Sequence, residues 1–270
     1  MTISTGWVSL LTMVFNICHL PVVDSTNNYL RALVDAPEGT CITADRQTAG
    51  RGRQSRNWHS AAGEGLYLSL LLRPARGIAN LPLLSLTTAI AVAETFIAIG
   101  LDRIDIKWPN DLLSSGRKIS GILIETTGLQ QSEPPRVIVG IGVNLNQRSF
   151  PPPLDETATS LLLERGESIS IPAFRDQLLD RFSDWYTRWY DCGRDGGREA
   201  IISRWMALSS YGRGREVSVN LESTCLTGIT EGLSRDGALL VRAADGQIHT
   251  ILAGEVTRLR PLAPSQPSGS

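Results

Sequence analysis

The sequence has 270 residues, 42% of them hydrophobic, so it is long enough to bury one sizeable core together with a small second domain. Its 26 Lys plus Arg residues nearly balance 27 Asp plus Glu residues, and the net charge is −1. This balance excludes a general attraction to nucleic acid or to an anionic membrane, so any basic site must be local.

The cysteines and histidines are too few and too scattered for a metal cage or a disulfide scaffold. No Cys-x-x-Cys pair and no zinc spacing occurs among Cys18, Cys41, Cys192, Cys225, His19, His59 and His249. Scattered cysteines in a chain of this length are typical of a reducing compartment. We therefore expect a cytoplasmic protein without a resident metal ion.

The N-terminal part predicts one buried element followed by a helix. The apolar stretch 7–20 has no basic flank and no cleavage site and is too short to span a bilayer, so it predicts a first buried strand or helix, with Met13 as a plausible initiator. The residues 24–26 (Asp-Ser-Thr) precede apolar side chains at helical spacing and predict a helix N-cap. The stretch 41–44 predicts a short strand.

The middle of the chain alternates between strand and helix patterns. A helix is predicted over 83–99, ending before Gly100. A second, amphipathic helix is predicted where Phe174, Leu178, Phe182, Trp185 and Trp189 recur every three or four residues. Strands are predicted over 66–72, 105–108, 119–126 and 137–145, with a turn at 114–116.

The C-terminal part has a different pattern. Short alternating strands are predicted over 216–221, 226–230, 238–241 and 248–252, with Asp-Gly turns at 236–237 and 245–246. This pattern predicts a small β-barrel. We expect domains at 1–210 and 211–262, followed by a disordered tail at 263–270.

An arginine-rich loop is the sharpest local motif. The segment 50–58 reads Gly-Arg-Gly-Arg-Gln-Ser-Arg-Asn-Trp. Its glycines let the backbone approach a ligand, and arginine forks suit carboxylate and phosphate oxygens. Such a loop could close over an anionic small molecule. The alternatives are a solvated charged loop or an RNA-binding Arg-Gly segment, although the latter would normally repeat. His59 has no nucleophile or acid motif near it and is interpreted as structural or exposed.

A hairpin lysine forms the second motif. Lys118 follows Lys-Trp-Pro-Asn-Asp at 107–111 and stands just before an apolar strand. An ammonium at this place can neutralise an attacking carboxylate and the phosphate that it attacks. Asn110 and Asp111 offer oxygen atoms to a magnesium–nucleotide complex. The alternative is a hairpin with ordinary polar turn residues.

Two glycines within a strand form the third motif. Gly140 and Gly142 interrupt the apolar run before Asn144, so another group is expected to pack against the backbone there, with Asn144 directed into the same pocket. Simple sheet packing is the alternative. A dinucleotide fingerprint is excluded because no helix pattern follows directly.

Taken in order, these motifs resemble the biotin protein ligase family. The resemblance rests on 24–27, 47–53, 107–111, 118–125 and 140–144, covers 23–146 strongly, and extends more weakly to Arg260. It implies an α+β fold: a mixed β-sheet flanked by helices, related to class II aminoacyl-tRNA synthetases, with a small C-terminal SH3-like β-barrel. The implied activity is ATP-dependent formation of biotinyl-5'-AMP, then transfer of biotin to a lysine of a biotin carboxyl carrier protein such as that of acetyl-CoA carboxylase.

The resemblance also implies roles for individual residues. Catalytic roles fall to Lys118, Arg51 and Arg53. Biotin would be bound by Ser25, Thr26, Asn27, Gln47, Arg51, Gly52, Arg53, Lys118 and Gly121. The nucleotide, as ATP with a transient Mg²⁺, would be bound by Arg56, Trp58, Asn110, Asp111, Asn144 and Arg260.

The sequence departs from the family pattern at two places. Ser55 stands where the family often has glycine, which we expect to stiffen the loop without abolishing closure. At the C-terminus, Arg258 competes with Arg260 for one arginine position. About twenty residues precede Asp24, too few for a winged helix, so we expect no operator binding, no nucleic-acid partner and no membrane partner. A homodimer is compatible with the resemblance. The rival functions are a lipoate or octanoate ligase or transferase of the same superfamily and a non-enzymatic nucleic-acid-binding module.

Overall fold

The structure is a computed structural model that describes residues 13–74, 80–127, 135–190, 196–220, 225–252 and 258–261. The segment 263–270, predicted to be disordered, lies outside these residues. Two β-sheets and five α-helices organise the described chain. The helices are α1 (Thr26–Ala32), α2 (Leu81–Ala98), α3 (Leu161–Arg165), α4 (Ile171–Tyr190) and α5 (Gly197–Ala207).

The first sheet has seven strands in the order β1-β2-β3-β7-β6-β5-β4. Strands β1 and β2 are parallel and all other neighbours are antiparallel, so the sheet is mixed, as predicted. The strands are β1 (Asn16–Val23), β2 (Thr40–Gln47), β3 (Gly65–Leu72), β4 (Ile104–Lys107), β5 (Asp111–Ser114), β6 (Arg117–Thr127) and β7 (Arg136–Asn144).

Helices flank the first sheet on both faces. Helices α2 and α4 pack against one face, where Phe96 and Phe174 meet with ring centroids 5.1 Å apart. The shorter α1 covers part of the other face through Leu30, which packs with Leu71 and Ile138. The predicted long helices and the buried strand β3 are confirmed, because apolar side chains at these spacings can be removed from water on one side. Helix α2 is long and apolar enough to span a bilayer, but most of it is buried in the fold.

Strand β1 corrects the prediction of a buried first element. Among the described residues the strand lies at the sheet edge and pairs with β2 alone. Its side chains are largely exposed; Ile17 is 41% and Val22 57% exposed. The beginning of the predicted stretch, 7–12, lies outside the described residues. Helix α1 is also shorter than its apolar pattern indicates, because it ends at Ala32 and leaves Val34 67% exposed.

The second sheet is antiparallel, with strands in the order β11-β10-β9-β8-β12. No pairing joins β11 to β12 within the described residues, so closure into a barrel stays a prediction. Both Asp-Gly turns lie between strands, as predicted. The strands are β8 (Arg213–Asn220), β9 (Cys225–Leu233), β10 (Leu239–Ala243), β11 (Ile248–Ile251) and β12 (Arg258–Pro261).

One turn of the second sheet packs against Trp108 and helix α2. The indole N–H of buried Trp108 donates to the carbonyl of Gly237 at 3.0 Å. A Cβ at Gly237 would lie 3.0 Å from Leu86 and 3.1 Å from Leu83, and its φ of 81° is left-handed. Glycine is therefore required both for the turn and for the close approach to α2.

Candidate active site

Two cavities adjoin on the face of the first sheet that carries α1. The narrow pocket has a volume of about 50 Å³ and lies between α1, the arginine loop and the strands β6 and β7. The wide cleft has a volume of about 690 Å³ and lies between the arginine loop, the 107–111 segment and Tyr211. Five residues line both cavities and so mark their junction: Gly52, Arg53, Trp58, Asn110 and Lys118.

The floor of the narrow pocket is flat because glycines occupy it. Gly142 pairs with Tyr67 on one side and with Gly121 on the other. The Trp58 ring lies so close that a Cβ at Gly142 would overlap it, and a Cβ at Gly121 would lie 2.9 Å from Trp58 Cζ3. This is the close packing predicted from the glycines in β7. The indole N–H of Trp58 has no acceptor among the described residues, which leaves a donor at the junction for a ligand.

A β-bulge brings Lys118 to the junction. Leu112 pairs with Ser120, whereas Leu113 pairs with Lys118, so Ile119 is the extra residue in β6. The bulge places Lys118 on the same face as Gly121, although the two are three positions apart. Without it, strict alternation would direct the lysine to the opposite face.

The Lys118 ammonium lies in a small, defined environment. Its Nζ is 2.5 Å from Asp111 Oδ1 and 5.4 Å from the Trp58 ring centroid. Its backbone N–H donates to Thr157 O at 2.8 Å, and its carbonyl accepts from Thr159 N at 2.9 Å. The lysine is therefore fixed by both its main chain and its charge partner, and it can stabilise negative charge that develops between the two cavities.

The far end of the narrow pocket is neutral and polar. Gln47 Oε1 accepts from the backbone N–H of Thr26 at 2.9 Å and from the Thr26 hydroxyl at 3.1 Å. The Gln47 side chain, not that of the N-cap Ser25, therefore caps α1. Ser69 donates to Asn27 Oδ1, and a Cβ at Gly140 would lie 2.5 Å from that same oxygen. Such donors and acceptors suit a neutral, ring-shaped polar group.

The first loop arginine is anchored at this far end. Arg51 forms an ion pair with Glu125, and Arg31 contacts the same carboxylate at 2.8 Å. Burial alone would raise the pKa of Glu125. The hydrogen bond from Asn27 and the charges of Arg31 and Arg51 outweigh burial and hold the pKa below its usual range.

The second loop arginine faces the junction instead. Arg53 Nη1 donates to Asn110 Oδ1 at 3.3 Å, and burial lowers the pKa of its guanidinium while the nearby Asp111 opposes that shift. At the loop tip, Gln54 adopts a left-handed φ of 55°. The left-handed residue of the turn Arg53–Ser55 is thus Gln54 and not Ser55, the position where the family often has glycine. Arg56 also lines the wide cleft.

Side chains with amide and carboxylate oxygens line the wide cleft beside Lys118. Asn110 is held by its Nδ2, which donates to Ile122 O at 2.8 Å, so its oxygen remains on the cleft side. The Asn144 amide Nδ2 donates to the carbonyls of Lys118 and Thr159, and thus supports the start of strand β6, which carries Lys118. The described residues contain no cluster of three or more His, Cys, Asp or Glu. One carboxylate and one amide oxygen fit a magnesium ion that keeps phosphate oxygens and water as its other ligands.

The structure brings most of the predicted site residues together. The narrow pocket is lined by Ser25, Thr26, Asn27, Gln47, Arg51, Gly52, Arg53, Lys118 and Gly121, and the wide cleft by Arg53, Arg56, Trp58, Asn110, Asp111, Lys118 and Asn144. Asn144 lines only the wide cleft, not the pocket of the two β7 glycines. Arg260 pairs with Ser218 through the backbone, but the side chains of Arg258 and Arg260 lie outside the described part, so the choice between them stays a prediction.

Sequence reasoning missed several residues of the site. Tyr67 lines the pocket from β3, and buried Ser69 supports Asn27 from the same strand; a signal existed, because both interrupt an otherwise aliphatic buried strand. Glu164 was also missed; it accepts from Ser114, Arg117 and other donors and pins the hairpin that carries Lys118. No local signal could have identified it, because its partners come from distant segments.

Comparison with known proteins identifies similar families for both parts of the chain. Residues 19–144 match the Biotin/lipoate A/B protein ligase family, and residues 213–258 match the Biotin protein ligase C terminal domain. The bifunctional ligase/repressor BirA of Bacillus spizizenii is 38% identical over 83% of this chain and 69% of its own length. The biotin--[acetyl-CoA-carboxylase] ligase of Paracoccus denitrificans is 34% identical over 86% of this chain and 96% of its own length.

Solved structures extend the similarity to the whole fold. The biotin protein ligase from Aquifex aeolicus in complex with biotin and ATP superposes with a TM-score of 0.79 at 34% identity, covering 92% of this chain and 99% of that one. The two family matches include the residues that line the narrow pocket and most of those that line the wide cleft. The chain therefore belongs to the biotin protein ligase family.

Proposed function

We propose that this chain is a biotin protein ligase that activates biotin with ATP as biotinyl-5'-AMP and then transfers biotin to a lysine of a biotin carboxyl carrier domain. The observation that carries the proposal is the junction of the two cavities at Lys118. A neutral polar pocket adjoins a wide cleft with cationic and oxygen-bearing walls, and one fixed ammonium stands where their occupants would meet.

The first half-reaction requires two anions to meet. A biotin carboxylate oxygen attacks the α-phosphorus of ATP. The new oxygen–phosphorus bond forms as the bond from the α-phosphorus to the bridging oxygen breaks, and pyrophosphate leaves. Lys118 and Arg53 lie where the repulsion between the reactants would be greatest, so they would hold both in line and stabilise the charge that develops. Mg²⁺ bound to ATP would neutralise phosphate oxygens next to Asn110 and Asp111.

The pocket chemistry supports biotin as the acid. Its ureido group is neutral, and polar side chains at the far end of the pocket (Thr26, Asn27 and Gln47) offer donors and acceptors without a free charge. Trp58 and Gly52 cover the junction from the loop side. A loop in this place would keep water from the reactive anhydride.

The second half-reaction consumes the anhydride. A neutral lysine amine of the carrier attacks the acyl carbon, the bond to the phosphate oxygen breaks, AMP leaves, and the amine proton passes to water. Free thiols at Cys18, Cys41 and Cys225 support a reducing, cytoplasmic location. The expected homodimer remains a prediction.

Biotin-dependent pyrophosphate release tests the proposal directly. Purified protein with ATP and Mg²⁺ should release pyrophosphate on addition of biotin, and mass spectrometry should then show one biotin on the lysine of an added carrier domain. Lipoate is the matched control: biotin at 100 times its Kd should stabilise the fold by about 2.7 kcal/mol and lipoate should not. Lipoate-dependent release without biotin-dependent release would favour the lipoate ligase instead.

A further inference from the structure

Glu125 is a half-buried carboxylate that binds three donors from two other parts of the chain. It accepts from Asn27 Nδ2 at 2.8 Å, pairs with Arg31 Nη2 at 2.8 Å and forms a short ion pair with Arg51. Asn27 and Arg31 lie on α1, and Arg51 opens the arginine loop. The Glu125 side chain is 21% exposed and continues the row of β6 residues that faces the pocket, behind Gly121 and Leu123.

The carboxylate fixes which way the Asn27 amide points. An ionised carboxylate only accepts hydrogen bonds, so Asn27 must turn its Nδ2 toward Glu125. Its Oδ1 then accepts from Ser69 and faces the end of the pocket beneath Gly140. Asn27 therefore presents an acceptor to the pocket, and an acceptor is what a ureido N–H requires.

The same carboxylate holds the base of the arginine loop. Arg51 and Asn57 form a β-bridge between the two arms of the loop, and Gly52 N donates to Arg56 O at 2.7 Å. Drawing Arg51 onto Glu125 therefore fixes both arms above the pocket. Arg51, expected from the family resemblance to sit over biotin and the adenylate, is placed at the loop base, whereas Arg53 reaches the junction.

We infer that Glu125 is a positioning and specificity-determining residue: it sets the Asn27 amide to accept from the biotin ring and, through Arg51, latches the loop over the bound acid. This inference rests on the proposed function. It predicts that recognition of biotin and closure of the loop are coupled through one side chain that touches neither reacting atom.

Glu125→Gln tests the inference because it keeps the shape and removes the charge. The variant should raise the KM for biotin by at least tenfold and change the KM for ATP by less than threefold. It should also release biotinyl-5'-AMP into solution faster than the parent protein, because the loop base loses its latch. Glu199→Gln, the same change at an exposed site on α5, is the matched control and should alter none of these values.

A polarity exchange separates positioning from a merely structural role. In Asn27→Asp with Glu125→Gln, donor and acceptor are swapped and the total charge is kept, so position 27 again presents an acceptor. The KM for biotin should recover toward the parent value relative to Glu125→Gln alone. Proportional increases in both KM values, or a swap that restores nothing, would overturn the inference. Absence of biotin-dependent pyrophosphate release from the parent protein would instead refute the proposed function.

Discussion

Replacement of Lys118 by alanine should slow adenylation far more than it weakens biotin binding. The ammonium is 2.5 Å from Asp111 and lines both cavities. At a separation of about 4 Å and an effective dielectric constant of about 20, one charge pair contributes about 4 kcal/mol, an upper limit for what the lysine adds. Loss of a single group that stabilises developing charge typically lowers kcat by about 10²–10³.

Part of the loss should come from Asp111, because Lys118→Ala leaves this carboxylate without its charge partner beside two incoming anions. The double variant with Asp111→Asn should therefore be less impaired than the sum of the single effects. Lys118→Arg should not restore activity. The Lys118 side chain packs against the backbone of Gly121, where an added Cβ would stand 3.0 Å from Lys118 Cε, and a planar guanidinium is wider than an ammonium.

Two measurements decide the question. Single-turnover pyrophosphate release gives the adenylation rate, and titration calorimetry gives the biotin Kd. We expect a change in Kd of less than about tenfold. Arg242→Ala, whose exposed side chain pairs with Glu231 in the second sheet, is the control and should stay within about threefold in rate. An equal loss in rate and in affinity would show that Lys118 only binds the acid, and the reasoning would be refuted.

Three further outcomes are expected from other parts of the fold. Gly142→Ala should displace the Trp58 ring, because the added Cβ would stand 2.4 Å from Trp58 Cε2. Biotin-dependent pyrophosphate release should fall at least tenfold, while circular dichroism should still show a folded protein. The pKa of Glu164 is lowered from 4.5. Burial raises it, but hydrogen bonds from Thr159, Ser115 and Ser114 and the charge of Arg117 outweigh burial. The carboxylate therefore stabilises the fold above pH 4.5, and this contribution is lost as the pH falls through the pKa of Glu164 in the folded state. Thermal melts from pH 7 to pH 3 should thus show a shallower decline for Glu164→Gln than for the parent, and parallel curves would contradict this. Trp108→Phe removes the hydrogen bond to Gly237 and should lower Tm by about 2–4 °C, corresponding to about 1 kcal/mol, in differential scanning fluorimetry; no change would mean that the link between the sheets carries no stability.

The sequence by itself determined the elements whose residues interact locally. Apolar periodicity located α2, α4 and the buried strands β3, β6 and β7, and turn residues located the hairpins of the second sheet, because burial of one face leaves a period in the chain. The motifs also identified most residues of the two cavities. The short strand β5 was missed, since four residues between Asn110 and Ser115 carry too little pattern.

Only the tertiary structure decided how these residues act together. The bulge at Ile119 sets the face on which Lys118 lies, and pairing between distant segments decides that Arg51 reaches Glu125 while Arg53 reaches Asn110. The position of a strand at the edge or in the centre of a sheet likewise depends on the strand order. The sequence therefore could not distinguish the exposed strand β1 from a buried strand. Periodicity reports which side of an element is apolar; it contains no information about which remote side chain a charged group will meet.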